Sequence, residues 1–302
     1  MLQAVLVTAY KDFDQLLALT RAFDSRFRLF IHIDRKSRIH RVRPDILEEL
    51  RGLPTVRLVR SRYAVNWGGV NHLHAVLDLA RAVFQDGHNV EFFHWITGQD
   101  YPVRSCDEFV SFFSENRHRS FLSWFLLPAE IWRIEDGGFD RIAYYHLYDL
   151  LGMGKGDRYN KKFVELQRAW GFRRRYSARL PRLHGGLGYW SLNRDAMNYV
   201  LHQTRSHPGL LIRLRHCFCA EELYVHTVLL NSPLAASVVN DDLRFVDWSS
   251  NRGGVHPAIL DESDFETIQQ STAFFARKFD SRLSLGLRIM IDGVLGLHQV
   301  SL

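Results

Sequence analysis

Hydrophobic positions in the first 125 residues alternate between short apolar runs and helically spaced repeats. Ala4–Ala9 is an apolar run with the pattern of a strand buried on both faces. Asp12 and Gln15 resemble a capping box, opening an expected helix through Leu16, Leu17, Leu19 and Phe23. Phe27–Ile33 reads as the next strand and ends at Asp34. A strand–helix–strand unit implies a right-handed crossover and a parallel sheet. Pro54–Val59 predicts a third strand, and Leu73, Val76, Leu77, Ala80 and Val83 mark a helix. Glu91–Thr97 predicts a strand running into Gly98-Gln99-Asp100. Ser105 with Glu108 is a second capping box, and Ser120–Phe125 a further expected strand. The class is therefore α/β, with a mostly parallel central sheet flanked by helices.

From Lys155 to Arg182 the pattern changes: ten Lys/Arg stand against Asp157 and Glu165. This stretch reads as a solvated, partly mobile excursion, with an acceptor or membrane-headgroup surface as the functional alternative. Beyond it, His184-Gly185-Gly186-Leu187-Gly188-Tyr189-Trp190 brings three glycines before a strand, suited to a tight turn or close approach to a ligand. Asn193–Leu201 predicts a helix, and Ala236–Asn240 and Leu243–Trp248 follow as extended segments. Asp261-Glu262-Ser263-Asp264 precedes a helix to about Gln270, and Leu283–Leu297 is amphipathic. The whole reads as one domain. Residues 1–125 form an α/β half, 126–182 a basic insert, 183–280 a second half, and 281–302 an amphipathic tail.

Composition adds three limits. With 302 residues and 46% hydrophobic content, the chain buries a full core. The formal charge of +6 favours anionic partners, but it resides in the 155–182 stretch. No recognition motif or interleaved aromatics accompany that charge, which argues against nucleic acid. Three cysteines, Cys106, Cys217 and Cys219, have no zinc spacing and cannot pair completely, so a reducing, cytoplasmic setting is expected. The N-terminus reads as a strand rather than a signal peptide. No apolar stretch approaches the ~20 residues of a membrane span, which leaves peripheral membrane contact as the expected limit.

Candidate chemistry centres on Cys217–Ser232, CFCAEELYVHTVLLNS. It predicts a helix with Glu221 and Glu222 in its first turn, where the dipole favours acids. Two readings stay open there: a capped, buried helix, or one carboxylate at a cleft mouth as a general base. Asp34, at the carboxyl edge of a strand, suits hydrogen bonds from a uracil or ribose, or an ordinary charged loop. No G-x-G-x-x-G follows the first strand. The one Asp-x-Asp, Asp12-Phe13-Asp14, is better explained by helix capping. A bound diphosphate would then need side-chain cations, and Arg277-Lys278 between phenylalanines suits that task.

The ordered set HIDRKS, NWGG, TGQDYPVRS, HGGLGYWSLNR, AEELYVHTVLLNSP, VDW and FFARKFD resembles glycosyltransferase family 14. This family comprises the core-2/I-branching β-1,6-N-acetylglucosaminyltransferases and peptide O-xylosyltransferases, and the likeness runs from about Leu6 to Asp280. It implies a GT-A-type, Rossmann-like fold and a metal-independent, inverting transfer from UDP-GlcNAc or UDP-xylose, with no cofactor. The acceptor would be a hydroxyl on a glycan, lipid-linked glycan or protein. The resemblance places the base on Glu222 rather than Glu221, which it leaves to capping or support. It places the diphosphate contacts on Arg277 and Lys278, and the nucleoside contact on Asp34. Asp100, Gly186 and Trp248 fall in cleft-lining segments, and Arg252 is a further phosphate or acceptor candidate. Peptide xylosyltransferases carry an acid before the aromatic of the glycine-rich loop, where this chain has Gly188-Tyr189. Conversely, FFARKFD is closer to the xylosyltransferases, so the donor sugar stays open. The rival readings are a glycosidase using Glu222 with Asp100, and a non-catalytic glycan or nucleotide binder.

Overall fold

In the computed structural model, residues 1–152, 155–176, 180–249, 252 and 256–297 are described. The strands are β1 (Gln3–Ala9), β2 (Phe27–Ile33), β3 (Val56–Arg60), β4 (Phe92–Thr97), β5 (Asp100–Pro102), β6 (Ser120–Phe121), β7 (Phe125–Leu126), β8 (His184–Gly185), β9 (Trp190–Asn193), β10 (Val238–Val239), β11 (Arg244–Val246) and β12 (Phe275–Arg277). The helices are α1 (Phe13–Arg21), α2 (Ile39–Val42), α3 (Pro44–Gly52), α4 (Asn71–Gln85), α5 (Cys106–Glu115), α6 (Asp140–Ala143), α7 (Tyr148–Leu151), α8 (Lys155–Ala169), α9 (Arg194–Ser206), α10 (Gly209–Leu214), α11 (Tyr224–Leu230), α12 (Phe265–Gln270) and α13 (Leu285–Leu295).

The main sheet has seven strands in the order β10-β6-β9-β4-β1-β2-β3, drawing on residues both before and after the 126–182 segment. β1 pairs in parallel with β2 from Gln3↔Phe27 to Ala9↔Ile33, and with β4 on its other side. Only β9 runs antiparallel to its neighbours, β4 and β6. The sheet is thus mostly parallel, as the alternating pattern predicts. Side chains of a strand alternate between faces. Accordingly Val5 and Val7 enter one apolar layer with Leu16, Phe27 and Phe109, while Ala4 and Leu6 enter the other with Leu77, Trp190 and Tyr224. The carboxyl ends of β1, β2 and β4 form the edge where open α/β sheets bind ligands. A second sheet, β11-β12-β5, stands at that edge and sets Arg277 opposite Asp100 in register.

Four local expectations change. Ser120–Phe125 is not one strand: β6 belongs to the main sheet and β7 to a ribbon with β8. Between them the Trp124 amide donates to the Asn240 side chain (2.7 Å), which takes the backbone out of the ladder. At α1, Asp12 accepts from the Gln15 amide, but the Gln15 side chain donates to the Asp100 carbonyl instead of closing the box. At α5 both halves of the Ser105–Glu108 box form. The acidic turn is separate from the helix after it: Ala220–Glu222 is a 3-10 turn and α11 begins at Tyr224. Cys219 enters it in a left-handed conformation, φ 51°, with its amide donating to the Gly68 carbonyl. The Glu222 carbonyl accepts from Gly186.

Much of the basic stretch is a helix, α8, packed by one face rather than an irregular excursion, while Arg158, Lys161, Lys162 and Arg168 are exposed, as a solvated segment predicts. Asn160, Val164 and Gln167 are buried, and the two amide side chains accept from the Leu147 and Tyr145 backbone N–H groups. Residues 177–179 of that stretch lie outside the described residues. The tail packs through Leu287 and Ile291 of α13, and residues 298–302 are likewise outside. Among the described residues no helix is long and apolar enough to cross a membrane.

Candidate active site

Glu222 projects from the 3-10 turn with its side chain 26% exposed. Arg141 of α6 donates to its Oε2 through Nη1 (2.5 Å) and also pairs with Glu135. The guanidinium is itself buried, with Cζ 3.5 Å from the Trp132 ring centroid and 5.1 Å from that of Phe218. Desolvation, opposed by Arg141 and reinforced by the negative charge of Glu221, pushes the Glu222 carboxyl up to about 7. A carboxylate poised there is matched to general base work near neutral pH. Gly186 holds the turn from behind: its N–H donates to the Glu222 carbonyl (3.1 Å). A Cβ at Gly186 would lie 1.9 Å from the Ser123 carbonyl and 2.8 Å from His226 Nε2. Close packing behind the turn, rather than approach to a ligand, accounts for this glycine.

Among the described residues Glu221 makes no capping bond, and it is deeper, 6% exposed. Its Oε1 lies 3.4 Å from Nδ1 of His72, whose Nε2 is 3.1 Å from the Thr8 hydroxyl. A carboxylate only accepts, so in this contact His72 Nδ1 carries the hydrogen. In the neutral ring Nε2 then accepts from Thr8, which in turn accepts from Trp95 Nε1 (3.4 Å).

The cation pair stands where β12 meets β5. Arg277 is buried, stacks on Tyr189 (4.2 Å from Cζ to the centroid), and has Asp100 Oδ1 3.8 Å from Nε. Its Nε makes no hydrogen bond among the described residues. Burial lowers its pKa despite Asp100, and desolvation followed by the Arg277 charge brings Lys278 down to about 8. Lys278 Nζ donates to the His256 carbonyl (3.0 Å). Asp100 is 0% exposed, its Oδ2 held by the Thr97 amide (2.6 Å) and hydroxyl (2.5 Å). It is a buried counter-charge to Arg277, not a second carboxylate open to a glycan.

Asp34 ends β2 at the same sheet edge, buried, with Oδ1 accepting from the Lys36 and Val65 amides at 2.9 and 3.2 Å. Oδ2 faces Lys36 Nζ at 3.5 Å. Trp248 is 55% exposed just beyond β11. Arg252 is gripped by Asp247, Asp261 and Asp264 at 3.2, 2.9 and 2.6 Å, so the structure ties its charge to holding this loop rather than to a phosphate. Of the Asp-x-Asp, Asp12 caps α1 and accepts from the Ser281 amide (2.8 Å), while Asp14 pairs with Arg43 (3.0 Å). A cavity of about 440 Å³ opens beside Arg141, walled by Trp67, Phe218, Tyr148 and the inner face of α8.

Arg141, His72 and Tyr189 were not among the sequence-predicted residues. Arg141 lies 81 positions from Glu222, with no local pattern to mark it. The available signal was chemical: a buried acid requires a cation, and the aromatics Trp132 and Phe218 are a platform for one.

The family model of the Core-2/I-Branching enzyme matches residues 4–270. Xylosyltransferase 2 of Canis lupus familiaris is 26% identical over 309 residues, covering 95% of this chain and 33% of that protein. Xylosyltransferase 1 of Rattus norvegicus is 27% identical over 290 residues, covering 88% and 32%. The chain thus spans about a third of the length of these curated relatives. Among solved structures, mouse xyloside xylosyltransferase 1 in its apo form has a TM-score of 0.37 at 12% identity, covering 91% of this chain and 97% of that one. With most of its length matched and the acidic turn, glycine-rich loop and α/β sheet inside the match, this chain belongs to the Core-2/I-branching enzyme family of glycosyltransferases.

Proposed function

We propose that the protein transfers a sugar, GlcNAc or xylose, from a UDP donor to an acceptor hydroxyl by a single, inverting displacement. Glu222 takes the hydroxyl proton as the oxygen bonds to the anomeric carbon. The bond from that carbon to the β-phosphate oxygen breaks, and UDP leaves. Arg277 and Lys278 offset the charge that develops on the diphosphate, in the role a divalent ion plays in other transferases. Asp34 contacts the nucleoside through Oδ2. The acceptor, a glycan, lipid-linked glycan or protein hydroxyl, lies against Trp248 or in the cavity beside Arg141.

The observation that carries this reading is the under-neutralised cation pair. Among the described residues Arg277 has a single ion pair, at 3.8 Å, and Lys278 donates to a neutral carbonyl. Burying Arg277 in this state, beside a half-buried Lys278, costs free energy that a bound polyanion recovers. The test is UDP release over a panel of UDP-sugars with wild type, Glu222→Gln and Arg277→Ala/Lys278→Ala. Glu222→Gln should abolish transfer and keep UDP binding, whereas the double variant should weaken UDP itself. Full turnover by Glu222→Gln refutes the base assignment. Hydrolysis of a glycan without nucleotide would identify a glycosidase instead.

A further inference from the structure

We infer that Glu221, not only its neighbour, belongs to the reaction: it is the hydrogen-bond acceptor that recognises hydroxyl groups of the nucleotide-bound sugar. The inference rests on the transferase reading above and assigns the sugar subsite within it. Three observations on Glu221 meet here. It is 6% exposed, and its Oε2 has no hydrogen-bond partner among the described residues. A buried carboxylate oxygen left unpaired is costly and rare, and it marks a place reserved for a donor group. Its other oxygen is fixed by the His72–Thr8–Trp95 chain, which holds the carboxylate in one orientation.

Position supplies the third. Trp95, which packs edge-on against His72 (centroids 5.1 Å apart), also packs on Tyr189 (5.7 Å), and Tyr189 is the ring on which Arg277 stacks. Glu221 is therefore joined by three ring contacts to the proposed diphosphate clamp and by one peptide bond to the proposed base. In a single displacement the sugar ring lies between those two groups. Gly188 lies close against the same pair: a Cβ there would sit 3.2 Å from Trp95 and 3.5 Å from Glu221 Cγ, so a side chain at this position would crowd both. The geometry suits a carboxylate facing sugar hydroxyls, which are donors, rather than the phosphates, which would repel it.

The experiment compares affinities for UDP and for UDP-xylose, UDP-GlcNAc and UDP-glucose by calorimetry, in wild type, Glu221→Ala, Glu221→Gln and Glu222→Gln. Thermal unfolding of each variant checks that it folds. The expected result is unchanged UDP affinity in Glu221→Ala, with the preference for the UDP-sugar over UDP reduced roughly 10- to 100-fold, as for loss of a charged hydrogen bond. Glu221→Gln, which keeps one acceptor oxygen, should lose less. Glu222→Gln should keep the preference. If Glu221→Ala folds and retains the full preference, the inference is overturned while the transferase reading stands. If Glu221→Ala does not fold, Glu221→Gln carries the test, and a preference equal to wild type overturns it. If wild type binds none of the UDP-sugars, both fall together.

Discussion

Replacing Arg141 by Met should move the pH dependence of catalysis, and the structure sets the size of the effect. The base works deprotonated, so kcat/KM should rise as pH passes through the Glu222 pKa, about 7 in the native protein. Arg141 opposes the desolvation that raises this value. A unit-charge pair near 4 Å is worth about 4 kcal/mol at an effective dielectric of about 20. Arginine beside a carboxylate lowers its pKa by about 1–3 units. With 26% of the Glu222 side chain open to water, the lower part of that range applies. Losing Arg141 then places the Glu222 pKa roughly one to two units higher. At pH 7 the deprotonated fraction would fall from about one half to about 1–10%, a loss of roughly 5- to 50-fold in kcat/KM relative to wild type at the same pH, and that ratio returns towards one by about pH 9–10. Met keeps packing volume over Trp132, and Glu135, 32% exposed, can be solvated in its absence. Initial rates of UDP release from pH 5.5 to 10 measure the limb directly. An unshifted limb, or a loss at pH 7 that high pH does not restore, would refute the assignment of Arg141 as the ion that tunes the base.

Lys278, at about 8, should make UDP binding pH-dependent in the opposite sense. The ammonium is present below that value and lost as pH rises through it, so calorimetric affinity should weaken from pH 7 to 9.5, and Lys278→Met should flatten the dependence. Gly186→Ala should cost about 1–3 kcal/mol in urea unfolding, because its Cβ would meet the Ser123 carbonyl, and should lower kcat by displacing the Glu222 backbone. Asp34→Ala should destabilise by about 1 kcal/mol through loss of its bonds to the Lys36 and Val65 amides. Asp34→Asn should spare stability but weaken UDP. EDTA should leave UDP-release rates unchanged, and a strict Mn²⁺ requirement would overturn the clamp reading of Arg277 and Lys278.

The sheet was legible because β1, β2 and β4 carry apolar runs that only a doubly covered parallel sheet can bury. The Ser105–Glu108 box was legible because both partners sit within one turn. The acidic turn was misread as the start of a helix. Its break depends on a left-handed Cys219, on the Cys219 amide donating to the Gly68 carbonyl and on the Glu222 carbonyl accepting from the Gly186 amide, partners far away in the chain. Helical spacing therefore said little about where Glu221 and Glu222 point. Helical spacing leaves Glu221 to capping or support for the same reason, and its contact with His72, 149 positions away, speaks against capping alone. Arg252 illustrates the converse. A basic side chain in a polar loop is a fair phosphate candidate until three aspartates are seen around it.

The small β11-β12-β5 sheet has a temporal consequence. It brings Arg277 opposite Asp100 by main-chain pairing, and the Phe279 amide adds a 2.7 Å bond to the Gln99 carbonyl. The corner proposed to face phosphate is thus closed by β12, which leaves the ribosome long after β1–β4 have been made. Contacts of such sequence separation form late because loop closure must come first. During synthesis the chain would carry Asp34 and the acidic turn without the proposed clamp for the diphosphate. Donor binding would then begin only when residue 277 docks, so a nascent or C-terminally shortened chain would not sequester UDP-sugars before it can use them.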